Sequence, residues 1–231
     1  MKKIKILSLV LVSLFLVCSC EDNTGEYVDY AFTNSEKSEA IKGCLNSSVD
    51  TACAHLFQTD GFYGDEQYKM DYNQLNSTIF SVLNDHGYSY LVDSLVLKTN
   101  RMSESCNSVV GNIFKNTIKK LTIVDFDGLV NGDSTAITDY FAMMKYRDLR
   151  DSLQSPVGIR MSVFQVSDIW NEILTRYNEY DNTPVTFDVK NYIVDNLVES
   201  MLSEMRKEEV WVRKDTTHQN ESTELFRYLR K

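Results

Sequence analysis

The sequence predicts an all-α protein, one bundle-like domain of about seven to nine helices behind a signal peptide and a short tether. Three observations predict it. Apolar residues recur at three- and four-residue steps along most of the chain. No segment alternates apolar and polar residues long enough to demand a strand, although residues 162–166 and 210–212 are locally ambiguous. Nine glycines and two prolines among 231 residues leave little punctuation for the many turns of a β-sandwich or barrel. With 43% apolar and 25% charged residues, the composition is globular.

The first 33 residues read as a leader and a tether. Residues 1–5 are basic, and residues 6–17 form an apolar run interrupted only by Ser8 and Ser13. Val17-Cys18-Ser19-Cys20 follows, then Glu21-Asp22-Asn23. A basic head, a short apolar stretch and a small residue before a cut site describe a secretory signal, too short to span a bilayer as a helix. With cysteine at the first mature position, the site resembles a bacterial lipobox. Residues 1–19 are therefore expected to be removed and Cys20 to carry palmitate-class acyl chains. One acyl chain holds only marginally and two hold stably, so the anchor would be permanent. Residues 20–33 form the lipidated cysteine and a polar tether. It reaches at most about 45 Å at roughly 3.5 Å per residue, which confines the domain, residues 34–231, to a layer beside the membrane.

Asn34 is a plausible cap for a helix to about Leu56, with Ile41, Leu45, Val49, Ala52 and Leu56 in register. Gly61-Phe62-Tyr63-Gly64 is a turn signal. Leu75, Ile79, Val82 and Leu83 mark a short helix, and Gly87 stands where a left-handed terminator belongs. From about Tyr88 the period runs through Leu91, Leu95, Met102, Cys106, Val109 and Ile113, with a break expected near residues 103–107. Thr122-Ile-Val-Asp125 has the form of a capping box, opening a short helix that ends at Asn131-Gly132. Asp133-Ser134 is expected to cap the run with Ile137, Phe141 and Met144. Ser155-Pro156 reads as a fresh helix start, serine capping and proline filling the first turn, for a helix through Phe164, Ile169, Trp170, Ile173 and Tyr177. Asp181-Asn-Thr-Pro184 is a loop. Asp188 opens a long helix to about Arg213, with Tyr192, Ile193, Leu197, Met201 and Met205 on one side, and residues 221–231 form a last short helix.

These segments carry a family resemblance. Gly61-Phe62-Tyr63-Gly64, then Leu95 through Asn100-Arg101 to Glu104, then Ile118 to Asp125, then Asn131-Gly132-Asp133 to Tyr140-Phe141, then Phe187-Asp188 to Tyr192-Ile193, and finally Glu208-Glu209 and Arg213 resemble, in order and spacing, the bacterial secreted or lipoprotein family known as domain of unknown function 4197. The similarity runs from about Ser35 to the end. The chain departs from the family pattern at Met70-Asp71-Tyr72 and Thr216, where that pattern tends to carry proline, and in a longer tail containing His218. The resemblance implies architecture and brings no activity with it.

Charge narrows the function classes. The formal charge is −9, and removing Lys2, Lys3 and Lys5 with the leader takes it to −12. Such a surface repels phosphate backbones, so no nucleic-acid partner is expected. Cys44, Cys53 and Cys106 remain in the mature chain. Cys44 and Cys53 on one helix are separated by about 13 Å of rise, beyond bridging distance. Any disulfide must then involve Cys106, and buried free thiols are the favoured reading.

Catalytic sets are thin. Gly132-Asp133-Ser134 with Asp215-Thr-Thr-His218 imitates a serine hydrolase, but the oxyanion-hole blocks are missing and the serine does not follow a strand. Asp125-Phe-Asp127-Gly128 is an incomplete calcium loop, and His55, His86 and His218 have no metal-ligand spacing. No metal and no cofactor are expected. The candidate polar cluster or ligand cleft comprises Asn100, Arg101 and Glu104, with Asp188, Tyr192, Glu209 and Arg213. Arg101 can reach Glu104 and Glu209 can reach Arg213 along one helix face. These residues either brace the helices or line a cleft for a small polar ligand. The reading reached from sequence is a membrane-anchored envelope lipoprotein acting as a non-catalytic binding or interaction module, with the membrane and an envelope protein as partners. The alternative is an envelope hydrolase or other enzyme with an unrecognised site.

Overall fold

The computed structural model describes residues 32–214 and 227–229, which all fall in the compact unit Phe32–Lys231. The leader, Cys20, most of the tether, and Asp215 and His218 lie outside the described residues. So does most of the last expected helix, of which Arg227–Leu229 is a short 3-10 turn.

Among the described residues the protein is all-α. Helix α1 spans Asn34–Leu56. A 3-10 turn, Asn73–Leu75, and a π turn, Asn76–Phe80, lead into α2, Ser81–Asp85. Then come α3, Ser89–Glu104, and α4, Asn107–Lys119. The remaining helices are α5, Phe126–Asn131, α6, Ala136–Val163, α7, Val166–Asn178, and α8, Val189–Lys214. The break near residues 103–107 and the terminator at Gly87, whose φ is +83°, fall where the sequence placed them.

Four helices close a ring in which α1 packs on α8, α8 on α6, α6 on α4, and α4 on α1. Their apolar stripes fill it. Ile41, Leu45 and Val49 of α1, Leu197, Met201 and Met205 of α8, Phe114 of α4 and Phe141 of α6 are all fully buried in one core. The Phe114 and Phe141 ring centroids lie 6.2 Å apart, an arrangement worth about 0.5–1.5 kcal/mol beyond burial alone. Helices α3 and α7 pair with each other and lean on α6. A second aromatic group, Tyr72, Tyr192, Phe187 and Trp170, has successive centroid spacings of 4.7, 5.4 and 5.8 Å. Tyr72 occupies a left-handed conformation, φ +57°, held by full burial and a 2.7 Å bond between its hydroxyl and that of Thr99.

Several helix boundaries differ from the sequence expectation. The cap of α1 is Thr33, one residue early, in a full capping box with Glu36. Asp125, expected to close a box opened by Thr122, is itself the cap of α5 and accepts from Gly128 N–H at 2.8 Å. The largest difference concerns Pro156, which starts no helix but sits inside the 28-residue α6. Leu149, Leu153, Val157 and Met161 form one buried stripe across it. Ser152 and Ser155 beside the proline are exposed, so the lost backbone bond falls on a solvated face. The break comes instead at Gln165, φ +62°, which separates α6 from α7.

Cys44, Cys53 and Cys106 are buried free thiols. Burial first, with Glu209 adding to it, pushes Cys44 up to about 12, and burial with Asp50 pushes Cys53 up to about 11. A nucleophilic cysteine needs the opposite shift.

Candidate functional site

The seven residues put forward from sequence fall into separate groups. Glu104 ends α3 and accepts from the backbone N–H groups of Phe62 and Tyr63 at 3.3 and 3.0 Å. Its other oxygen takes Arg101 at 2.7 Å, and Arg101 also binds Asp60 at 2.7 Å. The Arg101 guanidinium lies 4.9 Å from the Tyr63 ring centroid, and Lys69 lies 5.2 Å from it. The Gly61–Gly64 turn is thus clamped to α3. Glycine is required at 61 for space, because a Cβ there would stand 2.3 Å from the Leu56 carbonyl oxygen.

Asn100, one turn earlier, is fully buried. Its oxygen accepts from Met70 N–H at 2.9 Å, and its amide donates to the Met70 and Val96 carbonyls at 3.0 and 2.7 Å. It pairs both backbone groups of Met70, as a neighbouring strand would.

Glu209 is also fully buried, on α8. It accepts from Ile137 and Thr138 N–H at 3.0 and 2.7 Å and from Arg213 at 2.9 and 2.8 Å. Arg213 donates onward to the carbonyls of Val130 and Leu129, both at 2.9 Å. Asp133-Ser134, expected to cap α6, does not do so. The cap position is Thr135, whose hydroxyl donates to Asp139 at 2.7 Å and caps no backbone amide, and Ala136 N–H goes to the Asp133 carbonyl at 3.1 Å. The carboxylate of Glu209 takes over the orphan amides of the first turn, where an anion also suits the helix dipole. Arg213 does the same for carbonyls at the end of α5. One ion pair therefore ties two helix ends to α8.

Asp188 and Tyr192 share a turn but not a function. Asp188 accepts from Asn191 N–H at 2.9 Å at the start of α8, whereas Tyr192 belongs to the aromatic group around Tyr72. Arg101 with Glu104, and Glu209 with Arg213, are brought into contact as their spacing allows. The two pairs have different partners and serve different joints.

Sequence reasoning missed one group. Glu204 of α8, largely buried, accepts from Tyr68 and, at 2.6 Å, from Lys207. Lys207 also donates to the Tyr68 hydroxyl at 2.8 Å and to Gln67 at 3.0 Å. His55, at the end of α1, places a buried Nδ1 3.1 Å from Glu204 without hydrogen-bond alignment, and its Nε2 lies 3.9 Å from Asp65. The Glu204–Lys207 spacing is common on solvated helices, so the one local signal was too ordinary to stand out.

The chemistry of this group follows from its shifts. Burial penalises charge on Glu204, but bonds from Lys207 and Tyr68, with His55 nearby, outweigh it and hold the carboxyl below its usual range. Burial opposes charge on Lys207 too, yet Glu204 and Tyr68 raise it, and burial with the Glu204 bond raises the Tyr68 phenol. All three shifts run away from neutrality, opposite to what a general acid or base requires. They imply a pH dependence of stability. The folded value of Glu204 lies below its unfolded value of about 4.3. Its contribution is complete above about pH 5 and is lost as pH falls through the folded value. Thermal melts between pH 6 and pH 3 are expected to fall more steeply for the wild type than for Glu204→Gln.

The other motifs resolve similarly. Asp127 pairs with Lys37 and Tyr228, each at 2.8 Å. Ser134 is exposed in the turn before α6. Among the described residues no three His, Cys, Asp or Glu side chains gather as metal ligands would.

The architecture and its joints define an all-helical domain in which the buried side chains of Asn100 and Glu209 serve backbone groups of other segments. The chain belongs to the family described as "Protein of unknown function (DUF4197)", whose model matches residues 31–227. No curated protein and no solved structure matches it. Four of the six segments that carried the resemblance meet at these joints. Glu104 holds the Gly61–Gly64 turn, and Glu209 with Arg213 holds the stretch around residues 129–138.

Proposed function

We propose that this protein is a lipid-anchored component of a bacterial envelope, in the outer membrane, whose helical domain is a non-catalytic binding or interaction module. In this reading residues 1–19 are a cleaved leader, Cys20 carries the acyl chains, and residues 21–33 tether the domain, residues 34–231, to the membrane. Its partners are the bilayer, through those chains, and an envelope protein, and it binds no nucleic acid.

One observation carries the non-catalytic half. Asn100, Glu104 and Glu209 each bond backbone groups of another segment, and their remaining hydrogen bonds go to Val96, Arg101 and Arg213. The shifted groups of the Glu204 cluster and the buried thiols move away from the protonation states that catalysis needs. The anchor half is supported by the basic head, apolar run and Cys20 of the sequence. No helix of the described residues is long and apolar enough to cross a membrane, so in this reading membrane attachment rests on Cys20.

The intact mass of chain recovered from membranes tests the anchor. The expected mass is that of residues 20–231 plus a diacylglyceryl group, with or without a further acyl chain, and Cys20→Ser is expected to release the chain into the soluble fraction. An unlipidated wild-type chain, or a Cys20→Ser chain retained on membranes, overturns it.

A further inference from the structure

We infer that the face formed by the start of α3 and the end of α2 binds a neutral oligosaccharide. A cavity of about 360 Å³ opens there, lined by Phe80, Ser81, Asn84, Ser89, Val92 and Asp93. That volume falls within the range of small-molecule sites, which begins at about 300 Å³. Four of the six lining side chains are polar and exposed. They include an amide that both donates and accepts, a carboxylate that only accepts, and two hydroxyls that do either.

An exposed aromatic surface runs alongside. Tyr90, 55% exposed, precedes Asp93 by three residues and shares its face of α3. Its ring neighbours Tyr88 at 6.4 Å, and Tyr88 neighbours Tyr180 at the same distance. Tyr180, 47% exposed, stacks on His86 with centroids 3.6 Å apart and planes 6° from parallel. The Arg176 guanidinium sits 5.2 Å from the Tyr88 ring centroid. These contacts fix the inner rings and leave Tyr90 and Tyr180 open to solvent.

The combination selects a ligand class. A pyranose ring offers flat C–H faces to an aromatic ring and edge hydroxyls that donate and accept together. Here Tyr90 stands one helical turn from Asp93, which lines a cavity of mixed polar and apolar character large enough for about one or two sugar units. The lining holds no cation, and Asp93 with the nearby exposed Asp85 repels phosphate, sulfate and anionic headgroups. A purely apolar ligand would strand four polar side chains. The inference rests on the proposed binding module, whose ligand class it supplies, and holds whether or not Cys20 is lipidated or a bound sugar is cleaved.

Saturation-transfer NMR on the full chain tests it, with maltotetraose and the tetramer of N-acetylglucosamine as probes at about 10 mM, above a weak Kd of about 1 mM. Transfer to the ring protons of at least one probe is expected. Tyr90→Ala and Asp93→Ala should each weaken binding by about tenfold with an unchanged melting temperature, since both residues are exposed. Absence of transfer from both sugars, or equal binding in both variants, overturns the inference. Stronger binding of a sulfated oligosaccharide overturns it as well. Cleavage of a bound probe would leave the binding site standing and overturn the non-catalytic reading instead.

Discussion

Glu209→Ala is expected to destabilise the domain by about 3–5 kcal/mol, the usual cost of removing one partner of a buried ion pair. The substitution leaves Ile137 and Thr138 N–H without an acceptor inside the protein. It also leaves Arg213, whose side chain is 9% exposed, without its carboxylate. Helix α6 loses its first-turn cap, and Arg213, which holds the end of α5, loses the carboxylate that orients it on α8. Urea denaturation measures the effect directly. Glu209→Gln retains one acceptor oxygen and is expected to lose less. Because the two side chains act as one unit, Glu209→Ala combined with Arg213→Ala should cost clearly less than the sum of the single losses. Additive costs would show that the pair is not coupled.

Asn100→Ala comes next, at about 2–4 kcal/mol. One side chain serves three backbone groups, the N–H and carbonyl of Met70 and the carbonyl of Val96. Its loss strands the two Met70 groups in the core, each unsatisfied group costing about 1–3 kcal/mol. Asn100→Asp retains an acceptor for Met70 N–H but aims a carboxylate at two carbonyls, so it should be no better than alanine. If both variants melt within about 0.5 kcal/mol of wild type, the range of an ordinary surface change, Asn100 is not a joint of the fold.

What was legible in the sequence depended on whether a signal was local. The stripe of α1, the break after Glu104, the left-handed Gly87 and the extent of α8 each follow from residues within a few positions of one another. Pro156 was misread because its local chemistry suits a helix start, while the stripe from Leu149 to Met161 that carries α6 through it depends on packing against α8. The break at Gln165 had no sequence signal, since glutamine seldom adopts positive φ.

The candidate residues show the same division. Arg101 with Glu104, and Glu209 with Arg213, were visible as pairs from their spacing. The groups they brace were not, because a backbone amide has no signature in sequence and those served by Glu209 lie 71 and 72 residues away. The Glu204 cluster was hidden for the same reason, since Tyr68 stands 136 residues from its carboxylate.

Amide hydrogen exchange at Ile137 and Thr138 tests most directly whether these buried polar side chains hold the backbone together. First-turn amides have no partner within their own helix and normally exchange fast. With Glu209 as their acceptor, both are expected to be protected nearly as strongly as the centre of α6, and Glu209→Gln should lower that protection. Rapid exchange of both amides in the native protein would mean that Glu209 does not hold them and is available for some other task.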